Sequence, residues 1–510
     1  MKFLKKGFRI SLALVMVLVA VMLAPASVSA EKQENTGLTA ERIKQIQPES
    51  VMAAGYSTSK IRVSWNQIPG VDGYAVYRAD SSDGIYQRVY STKNPEKLFY
   101  INSGRKAGQT WYYKVRGFRR ISGKMRYTRY SRAVCASVLS AEDVPPDYVR
   151  TEVKRVADSV KKHQNEHTVT FFAVSDLHID SRSPQSLESA RHAGQAIALL
   201  RGRFSVDFGV SLGDMTVGGS STTLDEGGRE ISRASAILDM GFQGMQNFRT
   251  VGNHDPLGYS YPINRAYLSK EELFDMIGSK NAGAVFPGKE TDRGYCYKDF
   301  SEQKIRVICL NTGDLDAEDF SVVQKVDAGK ISGEQMKWFA ETLDLSDKED
   351  ASEWGILLLS HHPLDWGDIH PATKVLDAYQ KGTTLSMRYD GVSILKNYKG
   401  KNQAEIIAQI HGHIHSLKVD SLHVVNNSVG TPIAVKRIAV PNACFSRTNE
   451  YGQNGGPEYF GIEYGDPVTY SKTAGTAQDT AFCVVTIDRE LRKIYLDCYG
   501  AGRDRVVSYS

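Results

Sequence analysis

Five apolar runs in this chain each stop at a residue able to hold a metal ion. The run VTFFAVS ends in Asp176-Leu177-His178, and VDFGVSLG ends in Asp214. FRTVG leads into Asn253-His254-Asp255, GILLLS into His361-His362-Pro363, and EIIAQI into His411-Gly412-His413-Ile414-His415. The runs read as strands alternating with helical stretches, which predicts an α/β layered domain. In such sheets ligands bind in the crevice outside the carboxyl ends of the strands, so five polar strand ends predict one convergent site. The bland alternative is core and capping residues that happen to recur, and scattered core histidines would not share this arrangement.

The donors are imidazoles, carboxylates and one amide oxygen. That mixture suits zinc, manganese or iron better than an all-oxygen magnesium or calcium site. Two ions side by side need a shared anionic ligand to offset their repulsion, and Asp214 is the natural bridging carboxylate. An Asp-x-His or His-x-His pair places two donors on one side of a strand end, with the intervening Leu177 and Ile414 expected in the core.

These blocks, SDLH, LGDM, GNHD, SHHP and GHIH in this order, resemble the five blocks of the calcineurin-like metallophosphoesterase superfamily. They span Asp176 to His415. The resemblance implies a fold of two packed sheets flanked by helices, two divalent ions (Mn, Fe or Zn) and a phosphate-ester substrate. It implies a first metal on Asp176, His178, Asp214 and His415, and a second on Asp214, Asn253, His361 and His413. His361 is preferred over His362 because the family block is H-x-P. It also implies that His254 approaches the phosphate as general acid or transition-state stabiliser, with Asp255 holding its ring. The chemistry implied is attack by a metal-activated water, with ions about 3.5 to 4 Å apart.

The remaining sequence divides around that domain. Residues 1–30 carry Lys2, Lys5, Lys6 and Arg9, then an apolar run to Ala24, then the small-residue ending Val28-Ser29-Ala30. This is the layout of a cleaved secretory signal peptide, with an uncleaved anchor as the alternative, and it predicts a secreted or cell-envelope protein. No later segment is apolar and long enough to span a membrane. The signal holds four basic residues and no acidic ones, so most of the formal charge of +5 leaves with it and no electrostatic signal for nucleic acid remains. Six cysteines without C-x-x-C spacing argue against a structural zinc site, and Cys309 and Cys483 read as buried free thiols in strands.

After an N-terminal segment at 31–49, residues 50–139 read as short strands separated by turns. Trp65, Tyr74, Val76, Trp111, Tyr113 and Val115 fall at period-2 positions for one buried face. This stretch resembles a fibronectin type III domain, with Trp111 standing where the family usually carries a corner tyrosine. The resemblance leaves open a spacer or a module that binds a surface polymer or partner. Residues 140–166, opened by Pro145-Pro146 and followed by a charged helical segment, read as the linker to a metallophosphoesterase domain at 167–510.

Other polar residues have two readings. His362 and His411 adjoin ligands and could support them or the substrate, although strand-end histidines more often satisfy backbone groups; Asn311 and Asp314 follow a strand and could face the site, but suit a turn better. ISGEQMKWFAETL reads as an amphipathic helix with Met336 and Phe339 on its core side, TAFCVVTIDRELRKIYLDCYGAG as a hairpin, and YGQNGGPEYFGIEYG as a surface loop or pocket lining. The function expected is an exported phosphodiesterase. The alternatives are a phosphomonoesterase or nucleotidase of the same fold and, from another class, a surface-binding protein with vestigial catalysis.

Overall fold

The computed structural model describes residues 38–509 apart from 49–50, 142, 220–221, 259–266, 288–293, 317–318, 322, 402, 427–428 and 446–471. The expected signal segment, residues 31–37 and the Gly- and Tyr-rich run at 451–465 lie outside the described residues.

The N-terminal part is an antiparallel sandwich. Strands β1 (Met52–Ser57), β2 (Lys60–Ser64) and β5 (Phe99–Asn102) form one sheet. The other runs β4 (Gln87–Thr92), β3 (Gly73–Ala79), β6 (Thr110–Ile121), β7 (Lys124–Tyr127), with β8 (Val134–Ser137) also pairing with β6. The alternation read from the sequence selects the inner face. Ile61, Val63, Trp65, Tyr74, Val76, Tyr113 and Val115 are buried in one cluster, and Trp111 packs at its edge half-buried. The Trp65 and Tyr74 rings lie 5.4 Å apart. This is the fibronectin type III-like sandwich expected.

Pro145 and Pro146 end the sandwich, and helix α1 (Asp147–Val160) starts at once. Its Val149, Val153, Val156 and Val160 recur every three or four residues and form a single stripe. All four are fully buried in the core of the following domain. The reading of 140–166 as a linker is therefore corrected: α1 belongs to the α/β domain, because its charged residues lie on one side and its valines on the other.

That domain has four layers. One six-stranded sheet runs β11 (Gln246–Arg249), β10 (Phe208–Ser211), β9 (Thr168–Val174), β20 (Ala481–Asp488), β21 (Lys493–Gly500), β22 (Arg505–Ser508). The other runs β12 (Cys296–Phe300), β13 (Ile305–Cys309), β14 (Gly355–Ser360), β17 (Glu405–His411), β19 (Val429–Ala439), β18 (Lys418–Asn426). The sheets share a core holding Phe171, Phe208, Val210, Val307, Leu357, Leu359, Ile410 and Val485. Helices α1, α2 (Pro184–Leu200) and α3 (Leu224–Phe242) cover the first sheet; Gly333–Thr342 and Ala372–Gln380 cover the second. Burial on both faces explains why these strands are apolar runs rather than alternations. Met336 and Phe339 face the core as expected, and the C-terminal hairpin forms as β20 and β21. Cys309 and Cys483 are buried free thiols in strands.

Strands β9, β10 and β11 are parallel, as are β13, β14 and β17, so the carboxyl ends of both sets reach one edge of the double layer. The sandwich docks elsewhere, on α1 and the end of α2. The buried Arg201 donates from Nη2 to the Ala53 carbonyl (2.9 Å), Arg62 Nε to the Gly202 carbonyl (3.2 Å), and Arg150 Nη2 to the Tyr56 carbonyl (3.2 Å). No helix of the described residues is long and apolar enough to cross a membrane.

Candidate metal centre

The five strand ends meet through their main chains before their side chains are considered. Asp176 N–H donates to the Gly213 carbonyl (3.1 Å), His178 N–H to the Asp214 carbonyl (2.9 Å), and Gly412 N–H to the His361 carbonyl (3.0 Å). Asp176, His178, Asp214, His413 and His415 all take positive φ, between 41° and 68°. That left-handed region costs a non-glycine residue about 1 to 3 kcal/mol, and it persists only where surroundings enforce it. Two motif glycines are required by close approach rather than by their own φ. A Cβ on Gly252 would collide with Asp214 Oδ1, and one on Gly412 with Ser175 Oγ, 2.7 Å from Asp176 Oδ2.

The side chains form two adjoining groups of donors. Asp176, His178, Asp214 and His415 place ligand atoms within 4.8 Å of one another. Within this group His178 Nε2 and His415 Nε2 are 3.0 Å apart, and His415 Nε2 is 3.2 Å from Asp176 Oδ1. The second group centres on Asn253 Oδ1, 2.8 Å from His361 Nε2 and 3.0 Å from His413 Nδ1. Asp214 Oδ2 lies between them, 3.5 Å from His178 Nε2 and 3.2 Å from His361 Nε2. One carboxylate oxygen is therefore within reach of both groups.

Tautomers follow from partners that can only accept. His361 Nδ1 lies 2.6 Å from the Leu212 carbonyl and must carry its hydrogen there, which leaves Nε2 facing Asp214 and Asn253. Burial lowers the His361 pKa, but the Asp214 carboxylate outweighs this and lifts it to about 9. Burial, reinforced by His254, pushes His178 down to about 3. Burial raises the Asp176 carboxyl, yet His415 and His361 hold it well below the usual carboxylate range. Two imidazole nitrogens facing each other beside two buried carboxylates are a nitrogen and oxygen donor set that fits a borderline divalent ion.

His254 sits beside this set with Nε2 4.0 Å from Asp214 Oδ2, and its main-chain N–H donates to Asp214 Oδ1 (2.9 Å). Its ring is held by the Val217 carbonyl, 2.5 Å from Nδ1. The expectation that Asp255 holds this ring is corrected. The Asp255 carboxylate accepts the main-chain N–H groups of Met215 (2.7 Å), Gly252 (2.8 Å) and Asp214 (3.1 Å), fastening the Asp214 turn to the Asn253 turn. Leu177 is buried as expected, but Ile414 is half-exposed, because the left-handed turns at His413 and His415 break the strand alternation that would have buried it.

The ambiguous polar residues separate as well. His411 Nδ1 donates to the Gly412 carbonyl (2.9 Å), a backbone role. His362 meets the Thr312 hydroxyl from Nδ1 (2.9 Å), and its ring lies 4.3 Å from that of His413, close enough to group with His361 and His413 as donors. Asn311 Oδ1 accepts from Gly313 N–H (3.0 Å) and serves the turn, whereas Asp314 accepts from Ser332 N–H (3.2 Å) at the start of the helix Gly333–Thr342 and pairs with Lys270 (2.7 Å). Sequence reasoning missed Val217 and Thr312, which act through a carbonyl and a hydroxyl with no motif of their own. It also missed Trp366, whose ring centroid is 5.0 Å from that of His413. A lone aromatic in the polar loop HHPLDWGD was the available signal.

The calcineurin-like phosphoesterase family model matches residues 169–417, a span that contains all nine site residues. Solved structures similar to part of the chain include the FN1-FN3 domains of chicken CNTN1, at 23% identity over 19% of this chain and 31% of that one with a TM-score of 0.17. The chain thus spans about a third of that fragment. An Fn3-like protein from Clostridium thermocellum matches at 20% identity over 19% of this chain and 96% of that chain, TM-score 0.16. The 6th fibronectin type III domain of a human fibronectin type III domain containing protein matches at 20% identity over 19% and 88%, TM-score 0.16. No curated protein matches. Residues 169–417 thus match the calcineurin-like phosphoesterase family, and they carry a cluster of Asp and His side chains able to hold a metal ion.

Proposed function

We propose that the protein is an exported hydrolase that cleaves a phosphodiester with water, using two divalent ions. Asp176, His178, Asp214 and His415 hold one ion, and Asp214, Asn253, His361 and His413 the other. The observation that carries this reading is Asp214 Oδ2 standing between two donor groups drawn from five separate strand ends. When bound, a pair of divalent ions supplies the Lewis acidity that activates water near neutral pH and offsets charge on a phosphoryl group. The chain's own groups do the rest. The Val217 carbonyl fixes the His254 proton on Nδ1 and leaves Nε2 facing the centre, where it can exchange a proton with the leaving oxygen. Asp255 keeps the turns of Asp214 and Asn253 in register. The layout of residues 1–30 supports export to the cell envelope or medium.

The test is hydrolysis of bis-p-nitrophenyl phosphate against p-nitrophenyl phosphate, with and without manganese, by the protein lacking residues 1–30. Faster metal-dependent turnover of the diester is expected. Asp214→Asn should abolish both turnover and metal uptake, while His254→Ala should lower turnover by about 100-fold to 10,000-fold with metal content unchanged. Preference for the monoester would replace the reading with a phosphatase or nucleotidase.

A further inference from the structure

The burial of the centre shows where substrate enters. Asp176, Asp214 and His361 are closed off, whereas the side chains of His254 and His415 keep 11% and 19% of their surface and His413 is half-exposed. The mouth therefore opens on the side of these three histidines. Trp366 stands at that mouth. Among the described residues it is the exposed large hydrophobic whose ring meets a site histidine, at 74° to His413, and 42% of its surface remains open.

An indole this exposed beside a polar centre leaves part of its apolar ring free to meet a ligand. The loop that carries it is not loose. Trp366 N–H donates to the Pro363 carbonyl (3.2 Å), and Ile369 N–H to the Trp366 carbonyl (3.1 Å). The preceding Asp365 pairs with Arg437 and accepts from His423 N–H (3.2 Å). The following Gly367 takes φ +45° and lies so close to Ala328 that a Cβ would approach within 2.7 Å of its Cβ and carbonyl oxygen. The ring is held at the mouth before any ligand arrives, which is how a stacking surface gains affinity without an ordering cost.

We infer that Trp366 is a stacking platform for a planar ring on the ester arm that passes His413, so that the substrate class is phosphodiesters bearing a nucleobase. This inference rests on the diesterase reading of the same site. Base-on-aromatic stacking tolerates different bases, because each presents a π face, and a single stack changes affinity by roughly 10-fold to 100-fold. Trp366 meets the donor set through the His413 ring alone and offers no ligand atom of its own, so its contribution falls on KM and specificity.

The experiment compares thymidine 5′-(p-nitrophenyl) phosphate with methyl p-nitrophenyl phosphate, two diesters with the same leaving group. With manganese, the full protein is expected to show a KM about 10-fold to 100-fold lower for the nucleoside ester. Trp366→Leu should erase that difference while leaving kcat, metal content and the methyl ester's KM unchanged, and Trp366→Phe should restore most of it. Equal KM values in the unaltered protein, or a Trp366→Leu loss that falls on both esters alike, would overturn the proposal. Hydrolysis of neither ester would sink the diesterase reading alone. Stacking is then decided by titrating tryptophan fluorescence with thymidine 5′-monophosphate against methyl phosphate: quenching lost in Trp366→Phe supports it, and no quenching overturns it.

Discussion

Helix α1 sets where the α/β domain can be cut. A fragment of residues 166–510 keeps every site residue and loses α1, whereas one of residues 146–510 keeps both. Val149, Val153, Val156 and Val160 are each 0% exposed, in a core shared with Phe172, Val484 and α2. Burying one such side chain contributes about 1.5 to 3 kcal/mol, so the four together contribute about 6 to 12 kcal/mol. The whole stability of a folded domain is about 5 to 15 kcal/mol. Loss of α1 therefore removes a quantity of the same size as everything that keeps the domain folded. The assay is thermal unfolding by circular dichroism of both fragments, alongside manganese-dependent hydrolysis of bis-p-nitrophenyl phosphate. The 146–510 fragment is expected to melt cooperatively and turn over. The 166–510 fragment is expected to be insoluble, or to melt more than about 12 °C lower. Equal melting temperatures and equal turnover would refute the assignment of α1 to this domain.

Gly412→Ala places a methyl group against Ser175 Oγ and Asp176 Oδ2, so the turn carrying His413 and His415 must move. A displacement of the order of 1 Å at such a site costs about 100-fold in turnover, and the expected result is that loss, with metal uptake reduced and the melting temperature lowered by several degrees, as overpacking by about 1 to 3 kcal/mol requires. Burial raises the Asp207 carboxyl from its ordinary 3.8 to about 6, although it accepts from Thr170 N–H (2.8 Å). The folded state then binds the proton more tightly than the unfolded one, so this stability is complete below pH 3.8 and is lost as pH rises through about 6. The loss is about 3 kcal/mol, and Asp207→Asn should raise the urea midpoint at pH 8 but not at pH 3.5; the same gain at both values would contradict this sign.

The layering was legible because parallel strands buried on both faces leave apolar runs, and those runs stood out around each motif. The order of strands was not. Residues 481–488 pair antiparallel with β9, more than three hundred positions away, and place β20 inside the sheet rather than at its edge. A hairpin signal is local and says nothing of what lies beside it. The valine stripe of α1 was present in the sequence at helical spacing. It was obscured because the same fourteen residues hold Arg150, Glu152, Lys154, Arg155 and Asp158, and a charged helix after two prolines resembles a connection.

The site divides along a different line. Side chains that bear chemistry were legible from identity and order; groups that act through the main chain were not, because a carbonyl or an N–H has no signature. Val217 fixes the His254 tautomer through its carbonyl, and Asp255 meets four backbone donors instead of an imidazole. The same hidden layer explains why the five blocks mean more together than singly. Five site residues hold left-handed backbone at about 1 to 3 kcal/mol each, a sum no single turn could sustain. Each strained turn is braced by another block: Asp176 by Gly213, His178 by Asp214, and His413 N–H by the Asp176 carboxylate at 3.2 Å. A block alone would relax to an ordinary turn and lose its donor geometry, so the motifs are mechanically interdependent, and a chain that kept four would lose more than one ligand.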